Sequence, residues 1–293
     1  MKTTSLLLLS ALSLFQSSLL FAAAAPPPPP VEAKEISPGL YLVLGGGGAN
    51  SVMLTGADAT LVVDAKLDIE SADAELKVVD GLAKGPLRYL VNTHVHPDHT
   101  GGNEAYGKRG VVIISRDETR NILAAGQRGG PPAPAAALPT MTFDGKTPIT
   151  MHVAGETVVI RPVPAAHTTD NSIVQFTNAN VFQIGDIFST FRYPVIAGGT
   201  VQGFIDAVDQ VLKLSNEQSR FIPGNGDIEN IAALRKWREM LVTVRDSVSA
   251  LVKNGNTLEQ VTAAKPTAAF DAQYGTPERF LPALYQELSG KKQ

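Results

Sequence analysis

The chain has 293 residues, with 25 lysines and arginines against 28 aspartates and glutamates, which gives a formal net charge of −3 at pH 7. This balance provides no basic surface of the kind that binds nucleic acid, so we expect no nucleic-acid partner. The absence of cysteine excludes disulfides and removes thiolate from the possible metal ligands.

The first 25 residues have the pattern of a cleaved signal peptide. Lys2 provides a positive start, an apolar stretch covers 6–21, and alanines at 22–25 offer cleavage sites. Because serines and a glutamine interrupt the apolar stretch, we expect cleavage without a stable membrane anchor, and a periplasmic or secreted protein. Without Lys2 the mature chain has 24 cationic against 28 acidic residues, a net charge of −4.

Residues 26–35 begin with five prolines and are predicted to form a stiff spacer before one globular domain over 36–293. In its first half, the hydrophobic periodicity predicts strands at 41–44, 51–54, 60–63, 88–92 and 111–114, with helices at 72–82 and 117–125. In its second half, it predicts strands at 149–153, 157–163, 172–176, 181–184 and 220–222, with helices at 204–214, 231–251 and within 258–288. Strands followed by helices, twice over, imply two sheets with helices outside.

Two glycine-rich loops interrupt this pattern. The loop 45–50 joins two predicted strands, and its glycines make it flexible enough to cover a site. The segment 126–139 is rich in glycine, proline and alanine and carries no reactive group. We therefore interpret it as a solvent-exposed connection in preference to a substrate-facing flap.

The segment from Thr93 to Gly102 concentrates three of the five histidines and one carboxylate directly after a predicted buried strand. Imidazole and carboxylate are first-choice ligands for a divalent metal such as zinc. His94 and His96 can point to the same side of an extended backbone, whereas Asp98 and His99 project in another direction. The segment can therefore serve two adjacent metals.

Two further polar clusters follow predicted strands. His167 lies in an Ala-His-Thr-Thr-Asp-Asn stretch after the strand that ends at 163, and Asp186 follows the strand 181–184. Each residue alone is more typical of a turn or a cap, but combined with the segment 93–102 they form a metal-binding pattern. The remaining histidine, His152, is interpreted as an ordinary strand residue.

In these motifs the chain resembles the metallo-β-lactamase superfamily, over roughly residues 36–237. The resemblance implies an α/β fold, specifically an αββα sandwich of two mixed β-sheets with helices on the outer faces. It implies a first metal site made of His94, His96 and His167. It implies a second site made of Asp98 and His99, with Asp186 as the bridging carboxylate. Asp64, at the end of a predicted strand, matches the superfamily's buried aspartate that supports the metal loops.

One position departs from the superfamily pattern. The pattern places a histidine in a Pro-Gly-His-Gly turn, and here the turn is Pro223-Gly224-Asn225-Gly226. Asn225 offers a neutral amide oxygen, a poor match for zinc. Asp227 is a candidate substitute ligand, but its position favours a helix N-cap. The first site is therefore complete and the second is weakened, so we expect one Zn²⁺ or two, with another divalent metal compatible with the second site.

The resemblance implies a metal-dependent hydrolase that acts on a small molecule. A bound metal lowers the pKa of its water to about 7, so a metal-bound hydroxide is expected to attack an ester, thioester, lactone or amide carbonyl. Asp98 would orient the hydroxide and carry its proton. The strand-end Asp186 and the lack of cysteine favour the broad, glyoxalase-II-like branch of the superfamily.

Two other functions stay open on the sequence. The first is a β-lactamase, because export would place the protein where those antibiotics act. The second is a binding protein with a degraded second metal site and little activity. The substrate is not encoded in the motifs; candidate contacts are the loop 45–50 and, within 189–199, the residues Phe191, Arg192 and Tyr193. Arg192 could pair with a substrate carboxylate. The oligomeric state is equally open.

Overall fold

The computed structural model describes residues 29–290. The signal peptide expected over 1–25 therefore lies outside the described residues. Within 29–290, no helix combines the length and the apolar character that are needed to cross a membrane.

The first half of the domain forms a seven-stranded sheet with four helices. The strands are β1 (Glu32–Ser37), β2 (Leu40–Leu44), β3 (Ser51–Thr55), β4 (Thr60–Val63), β5 (Leu87–Val91), β6 (Val112–Arg116) and β7 (Met141–Phe143). The helices are α1 (Ile69–Leu82), α2 (Pro97–Thr100), α3 (Asn103–Lys108) and α4 (Asp117–Ala125). The strands follow chain order in the sheet. They pair antiparallel from β1 to β4 and parallel from β4 to β7.

The second half forms a six-stranded sheet and carries the remaining described helices. Its strands are β8 (Ile149–Val153), β9 (Glu156–Pro162), β10 (Ser172–Phe176), β11 (Val181–Gly185), β12 (Arg220–Pro223) and β13 (Glu229–Asn230). Its helices are α5 (Val201–Leu214), α6 (Ile231–Lys253), α7 (Leu258–Ala263), α8 (Asp271–Tyr274) and α9 (Phe280–Ser289). β11 and β12 pair parallel and the other neighbours pair antiparallel.

Three apolar layers hold the two sheets and their helices together. Between the sheets, Val91 and Ile114 of the first sheet belong to the same buried cluster as Val174 and Ile222 of the second. On the outer face of the first sheet, α1 and α3 cover strands β2 to β6. On the outer face of the second, α5 and α6 bury an apolar stripe that includes Trp237. The αββα sandwich with two mixed sheets is confirmed.

Several element boundaries differ from those expected. β1 begins at Glu32, so residues 32–35 pair with β2 and are not part of a spacer. α1 begins at Ile69 because the Asp68 side chain caps it, accepting from the Ser71 backbone N–H at 2.8 Å. The short strands β7 and β13 were not predicted. The N-cap of α6 is Asn230, which accepts from Ala233, so the expectation that Asp227 caps this helix is wrong.

The connectivity brings the predicted polar residues to one edge of the sandwich. Asp64 follows β4 and the segment 93–102 follows its parallel neighbour β5. Asp186 follows β11 and the turn 223–226 closes its parallel neighbour β12. The carboxyl ends of parallel strands lie at the same edge of a sheet, where the loops of open α/β sheets form binding sites. Both sheets therefore contribute to a single site.

Candidate metal centre

The backbone of the segment 93–102 explains why its ligands point in two directions. His96 is extended, with φ −60° and ψ 149°, and the short helix α2 begins directly after it at Pro97. Proline suits the first position of a helix because its ring fixes φ and its missing N–H would be unpaired there. The change from extended to helical backbone separates the directions of His94 and His96 from those of Asp98 and His99.

The first cluster consists of three imidazoles whose facing nitrogens converge. The Nε2 of His94 lies 3.2 Å from the Nδ1 of His96, and the Nε2 of His167 lies 2.7 Å from the same atom. Ligand nitrogens at 2.0–2.1 Å from a tetrahedral zinc ion are about 3.3 Å apart. All three ligand atoms lie within 4.8 Å of one another, so these residues fit one divalent ion with an open fourth position.

The second cluster surrounds the Nε2 of His99. An Asp98 oxygen and an Asp186 oxygen each lie 3.5 Å from this nitrogen. Within the described part of the chain, the Nε2 of His99 and the Oδ1 of Asp186 are buried without a hydrogen-bond partner. These two buried ligand atoms face each other, and a metal ion between them would give each one the partner that it lacks. His99 and Asp186 thus fit a second metal site, with Asp98 at its rim.

Asp186 lies between the two clusters. Its Oδ1 faces His99, whereas its Oδ2 lies 3.6 Å from the Nε2 of His167. A carboxylate with one oxygen toward each cluster has the geometry expected of a bridging ligand. The structure therefore brings together the six ionisable residues that the sequence assigned to the two sites.

Burial and charge set the protonation of the two clusters differently. Burial holds the pKa of His94 well below its ordinary value, and burial also lowers the pKa of His167. Burial alone would lower the pKa of His99 as well, but the carboxylates of Asp64 and Asp186 outweigh it and raise that pKa well above the ordinary value. Burial alone would raise the pKa of Asp186, but the neighbouring imidazoles of His99, His94 and His167 outweigh it and lower that pKa. Burial therefore favours the neutral forms of His94 and His167, whereas the neighbouring carboxylates favour the charged form of His99.

The rings of His99 and His167 are oriented by hydrogen bonds on the side that faces away from the clusters. The Nδ1 of His99 lies 2.7 Å from an Asp64 oxygen, and the Nδ1 of His167 lies 2.6 Å from the Val195 carbonyl. Asp64 is fully buried and also accepts from the Thr93 backbone N–H and hydroxyl, at 2.8 Å each. Such partners turn the opposite nitrogen toward a metal and hold it there. Asp64 thus lies where the resemblance placed it.

The turn 223–226 packs against the second cluster through Gly224. A Cβ atom at this position would lie 2.0 Å from the Oδ1 of Asp186 and 3.0 Å from a carbon of His99, so only glycine fits. Asn225 is half-buried in the same turn, whereas Asp227 is exposed and belongs to neither group of converging ligand atoms. Asp227 is therefore not placed to substitute for the histidine that the turn lacks.

Asn50 is a positioning residue that the sequence did not reveal. Its side-chain amide donates to the carbonyls of Pro223 and Gly226, at 3.0 and 2.7 Å, and its backbone N–H donates to Gly224 at 2.7 Å. The buried Gln183 donates to the Asn50 carbonyl at 3.1 Å. Because these contacts join residues more than a hundred positions apart, no local pattern could have indicated them.

The second half of the loop 45–50 is fixed from behind by a buried lysine. The Lys66 ammonium donates to the carbonyls of Val43 and Ala49, at 3.1 and 2.9 Å, and Ala49 in turn donates to the Asp98 carbonyl at 3.0 Å. The expected flexible cover over the site is therefore wrong for residues 49 and 50. This part of the loop is a rigid support for the turn 223–226 and for the backbone at Asp98.

The three candidate ligand contacts of the segment 189–199 have different surroundings. Tyr193 is buried and donates to the Thr267 carbonyl and the Asp271 carboxylate, so its expected contact with a ligand is wrong. Arg192 reaches the site, with its guanidinium 3.1 Å from the Oδ2 of Asp186, and lies 5.6 Å from the centre of the half-exposed Phe191 ring. Arg192 and Phe191 therefore remain available at the rim.

The segment 126–139 is solvent-exposed over 129–132 and 134–135, as its composition suggested, but it is held at both ends. Gln127 donates to the Val95 carbonyl at 2.7 Å, within the metal-binding segment. Ala137 is buried, and its carbonyl accepts from Asn103 at 3.1 Å. Both ends of this segment are thus bonded to residues next to the ligands.

The fold and the converging ligands define a metallo-hydrolase, and a family comparison identifies the class. A family model described as the metallo-beta-lactamase superfamily matches residues 44–190, half of the chain. The chain belongs to this superfamily and is a hydrolase of that class. The matched region contains all six ionisable ligand candidates, whereas Asn225 lies beyond it.

Solved structures share the fold at low sequence identity. A metallo-beta-lactamase from Pontibacter korlensis is 18% identical with a TM-score of 0.62, over 72% of this chain and 99% of that one. The metallo-beta-lactamase DIM-1, in a crystal exposed to ceftazidime, is 17% identical with a TM-score of 0.61, over 73% and 98%. TMB-1 is 16% identical with a TM-score of 0.60, over 73% and 98%. At these identities the likeness concerns the fold alone.

Proposed function

We propose that the protein is an exported, zinc-dependent hydrolase of an ester, thioester, lactone or amide bond in a small molecule. The observation that carries this proposal is the convergence of the ligand nitrogens of three imidazoles, His94, His96 and His167. When bound there, a divalent ion supplies a water of lowered pKa and polarises a carbonyl oxygen. The chain's own residues then have to orient the substrate and move protons.

Asp98 is the residue best placed to move a proton. Its side chain is one-third exposed (33%) and one of its oxygens lies 3.5 Å from the Nε2 of His99. The carboxylate therefore borders both the cluster and solvent. A group that accepts a proton at the site and releases it to water needs both contacts. His99 holds it from one side, while the Ala49 backbone N–H fixes the Asp98 carbonyl at 3.0 Å.

Metal content and turnover test the proposal together. Purified protein should contain at least one zinc per chain by inductively coupled plasma mass spectrometry. It should hydrolyse at least one member of a panel of esters, thioesters, lactones and amides. Chelation should abolish turnover and added zinc should restore it. Unchanged turnover in metal-free protein would refute the mechanism.

A β-lactamase is the second candidate function. Two solved structures that share the fold are named as metallo-beta-lactamases, one of them exposed to ceftazidime. The observation that favours it here is Arg192, a cation at the rim of the site that could pair with the carboxylate of such an antibiotic. Nitrocefin hydrolysis by the zinc-loaded protein separates the two, since a lactonase or thioesterase without β-lactamase activity leaves nitrocefin intact.

A binding protein with little activity is the third candidate. It rests on Asn225, which offers no imidazole to the second cluster. If this reading is correct, wild type binds one metal and turns over none of the panel, and Asn225→His gains both a second metal and activity. Two metals at full occupancy in wild type would contradict it.

Export is supported only by the composition of residues 1–25. The proposal predicts that expression of the full chain in a Gram-negative host yields a periplasmic or secreted protein. Its N-terminus, read by Edman degradation, should lie near residue 26. Recovery of the intact chain from the cytoplasm would contradict export without affecting the proposed chemistry.

A further inference from the structure

A cavity of about 350 Å³ lies beside the first cluster, on the side of His96. We call it the α4 cavity, because α4 and the residues after it form one of its walls. It is lined by Val95, His96, Ile122, Gln127, Thr168, Thr169, Asp170 and Ala197. Its size is at the lower end of the range for small-molecule pockets.

Hydrogen bonds between α4 and the loop after His167 fix the walls of the α4 cavity. Arg116 donates to the Thr169 carbonyl at 2.9 Å, and the Thr119 hydroxyl donates to the Oδ2 of Asp170 at 2.7 Å. The Thr169 hydroxyl donates to the Glu118 carboxylate. Gln127 closes the remaining side by its bond to the Val95 carbonyl. The cavity is thus formed by a rigid frame.

The chemistry of the lining is mostly apolar, with one buried acceptor. Val95, Ile122 and Ala197 contribute apolar surface, and no lysine or arginine is among the described residues that line the cavity. Asp170 is fully buried, and within residues 29–290 both its Oδ1 and the neighbouring buried hydroxyl of Thr168 have no hydrogen-bond partner. A buried carboxylate oxygen without a partner is costly unless something donates to it.

We propose that the α4 cavity binds the acyl group of the substrate, and that the preferred acyl group is compact, uncharged and carries a hydroxyl or amide N–H that donates to Asp170. This inference rests on the proposed function, because His96 is both a ligand candidate of the first cluster and part of the cavity wall. A carbonyl held at the cluster has its acyl substituent within reach of the cavity. The leaving group then extends toward Arg192, which lies on the Asp186 side.

The same lining excludes acyl groups that end in a carboxylate. Such a group would lose its hydration next to Asp170 without meeting a cation among the described residues that line the cavity. Arg192 is bonded to Asp186 and does not line the cavity. A substrate carboxylate is therefore compatible with the leaving group but not with the acyl group.

Chain length is the first test of the α4 cavity. For p-nitrophenyl esters, kcat/KM should rise from acetate to hexanoate by up to about fourfold per added methylene, the value for full burial. An ester of adipate, which ends in a carboxylate, should fall below hexanoate by at least about tenfold. Ile122→Trp fills the cavity and should abolish the dependence on chain length. Asn121→Trp, on the exposed face of α4, is the matched control and should preserve it.

Binding of hexanamide separates this inference from the proposed function. Hexanamide should perturb the NMR spectrum of the purified wild type and of Asn121→Trp, but not that of Ile122→Trp. If no ester, thioester, lactone or amide of the panel is hydrolysed yet this binding pattern holds, the proposed function fails and the cavity inference stands. If esters are hydrolysed while Ile122→Trp keeps both the chain-length dependence and hexanamide binding, the cavity inference is overturned and the function stands.

Asp170 is tested by a hydroxyl on the acyl chain. Wild type should prefer a 3-hydroxyhexanoyl ester to the hexanoyl ester by about tenfold, the effect of one hydrogen bond to a charged acceptor. Asp170→Asn keeps an acceptor oxygen and should retain part of this preference, whereas Asp170→Leu should lose it. Thermal melting verifies that both variants fold. Equal rates for the two esters in wild type would show that Asp170 holds only a structural water.

Discussion

The two ligand clusters share one edge of the sandwich but differ in how they are built. The first consists of three imidazoles, and burial lowers the pKa of two of them, His94 and His167. The second combines His99 with two carboxylates, and the pKa of His99 is raised well above its ordinary value. Neutral nitrogens can bind a metal directly, whereas a protonated imidazole must first release its proton. The clusters therefore differ in whether a proton must be released before a metal binds.

The supports of the two clusters differ as well. His167 is oriented by a backbone carbonyl, that of Val195, whereas His99 is oriented by the buried carboxylate of Asp64. A backbone partner contributes no net charge, but a carboxylate stabilises the protonated ring as well as the metal-bound one. Substitutions should thus affect the first cluster through geometry and the second through charge.

Loss of a ligand from the first cluster should give the largest effect. His167→Ala removes one of three imidazoles and should weaken zinc binding by more than the roughly 10- to 100-fold that outer partners contribute. Turnover should then be lost at stoichiometric zinc. Zinc content by mass spectrometry and competition with a chromophoric chelator measure both effects.

His152→Ala is the matched control for this change. His152 is an exposed histidine of β8 and belongs to neither cluster. Its removal should leave zinc content and turnover unchanged. Equal losses in both variants would show that zinc binds elsewhere than the three-histidine cluster.

Asp64→Asn should reduce metal binding at the second cluster while sparing the first. The substitution keeps the shape of the side chain but removes the charge that faces the Nδ1 of His99. Loss of an outer partner typically costs 10- to 100-fold in metal affinity. Stepwise titration with cobalt, followed by absorption, should show a weakened second step and an unchanged first step. Weakening of both steps by the same factor would refute the separation of the two clusters.

Asn225→His should strengthen the second cluster by at least about tenfold, or about 1.4 kcal/mol. The turn that carries residue 225 packs on Asp186 and His99 through Gly224. An imidazole at position 225 would therefore lie close to these two ligand candidates. Asp227→His places the same ring on an exposed residue two positions further along the chain. It should leave the metal affinity of the second cluster unchanged. If the two variants bind metal alike, the turn does not contribute a ligand position.

The sequence predicted the ligands better than their supports. Ligand residue types at strand ends indicated a metal-binding pattern that includes His94, His96, His167 and Asp186, and the resemblance to the superfamily assigned these residues to two sites. The αββα sandwich could be predicted because the order of strands and helices limits the layers that bury their apolar faces. These predictions depend on residues close together in the chain.

Apart from Asp64, which the resemblance indicated, the supports could not be predicted because they depend on distant contacts. Asn50 holds the turn 223–226, and nothing near Asn50 in the chain indicates that turn. Tyr193 was assigned to the ligand, but its hydroxyl bonds to Thr267 and Asp271 from the C-terminal helices. The segment 126–139 has the composition of an exposed linker, yet Gln127 is bonded to Val95. Composition does not specify what a loop packs against.

Arg192→Ala should give the smallest change in metal affinity, but this change should distinguish the two clusters directly. The guanidinium lies 3.1 Å from the Oδ2 of Asp186 and is 41% exposed, so solvent screens much of its interaction. Exposed ion pairs of this kind contribute about 0.2–1 kcal/mol. Because the arginine and a metal compete for the negative charge of Asp186, its removal should raise affinity at the second cluster by roughly 1.4- to 5-fold.

Arg192→Lys is the control for Arg192→Ala, since it keeps the positive charge and should keep the wild-type affinity. Cobalt titration at low and at high salt should show that the gain in Arg192→Ala shrinks as salt screens the wild-type pair. A gain confined to the first titration step would mean that Arg192 acts through His167, which lies 3.6 Å from the same oxygen, and not through the second cluster. That result would exclude competition for the charge of Asp186 as a distinction between the two clusters.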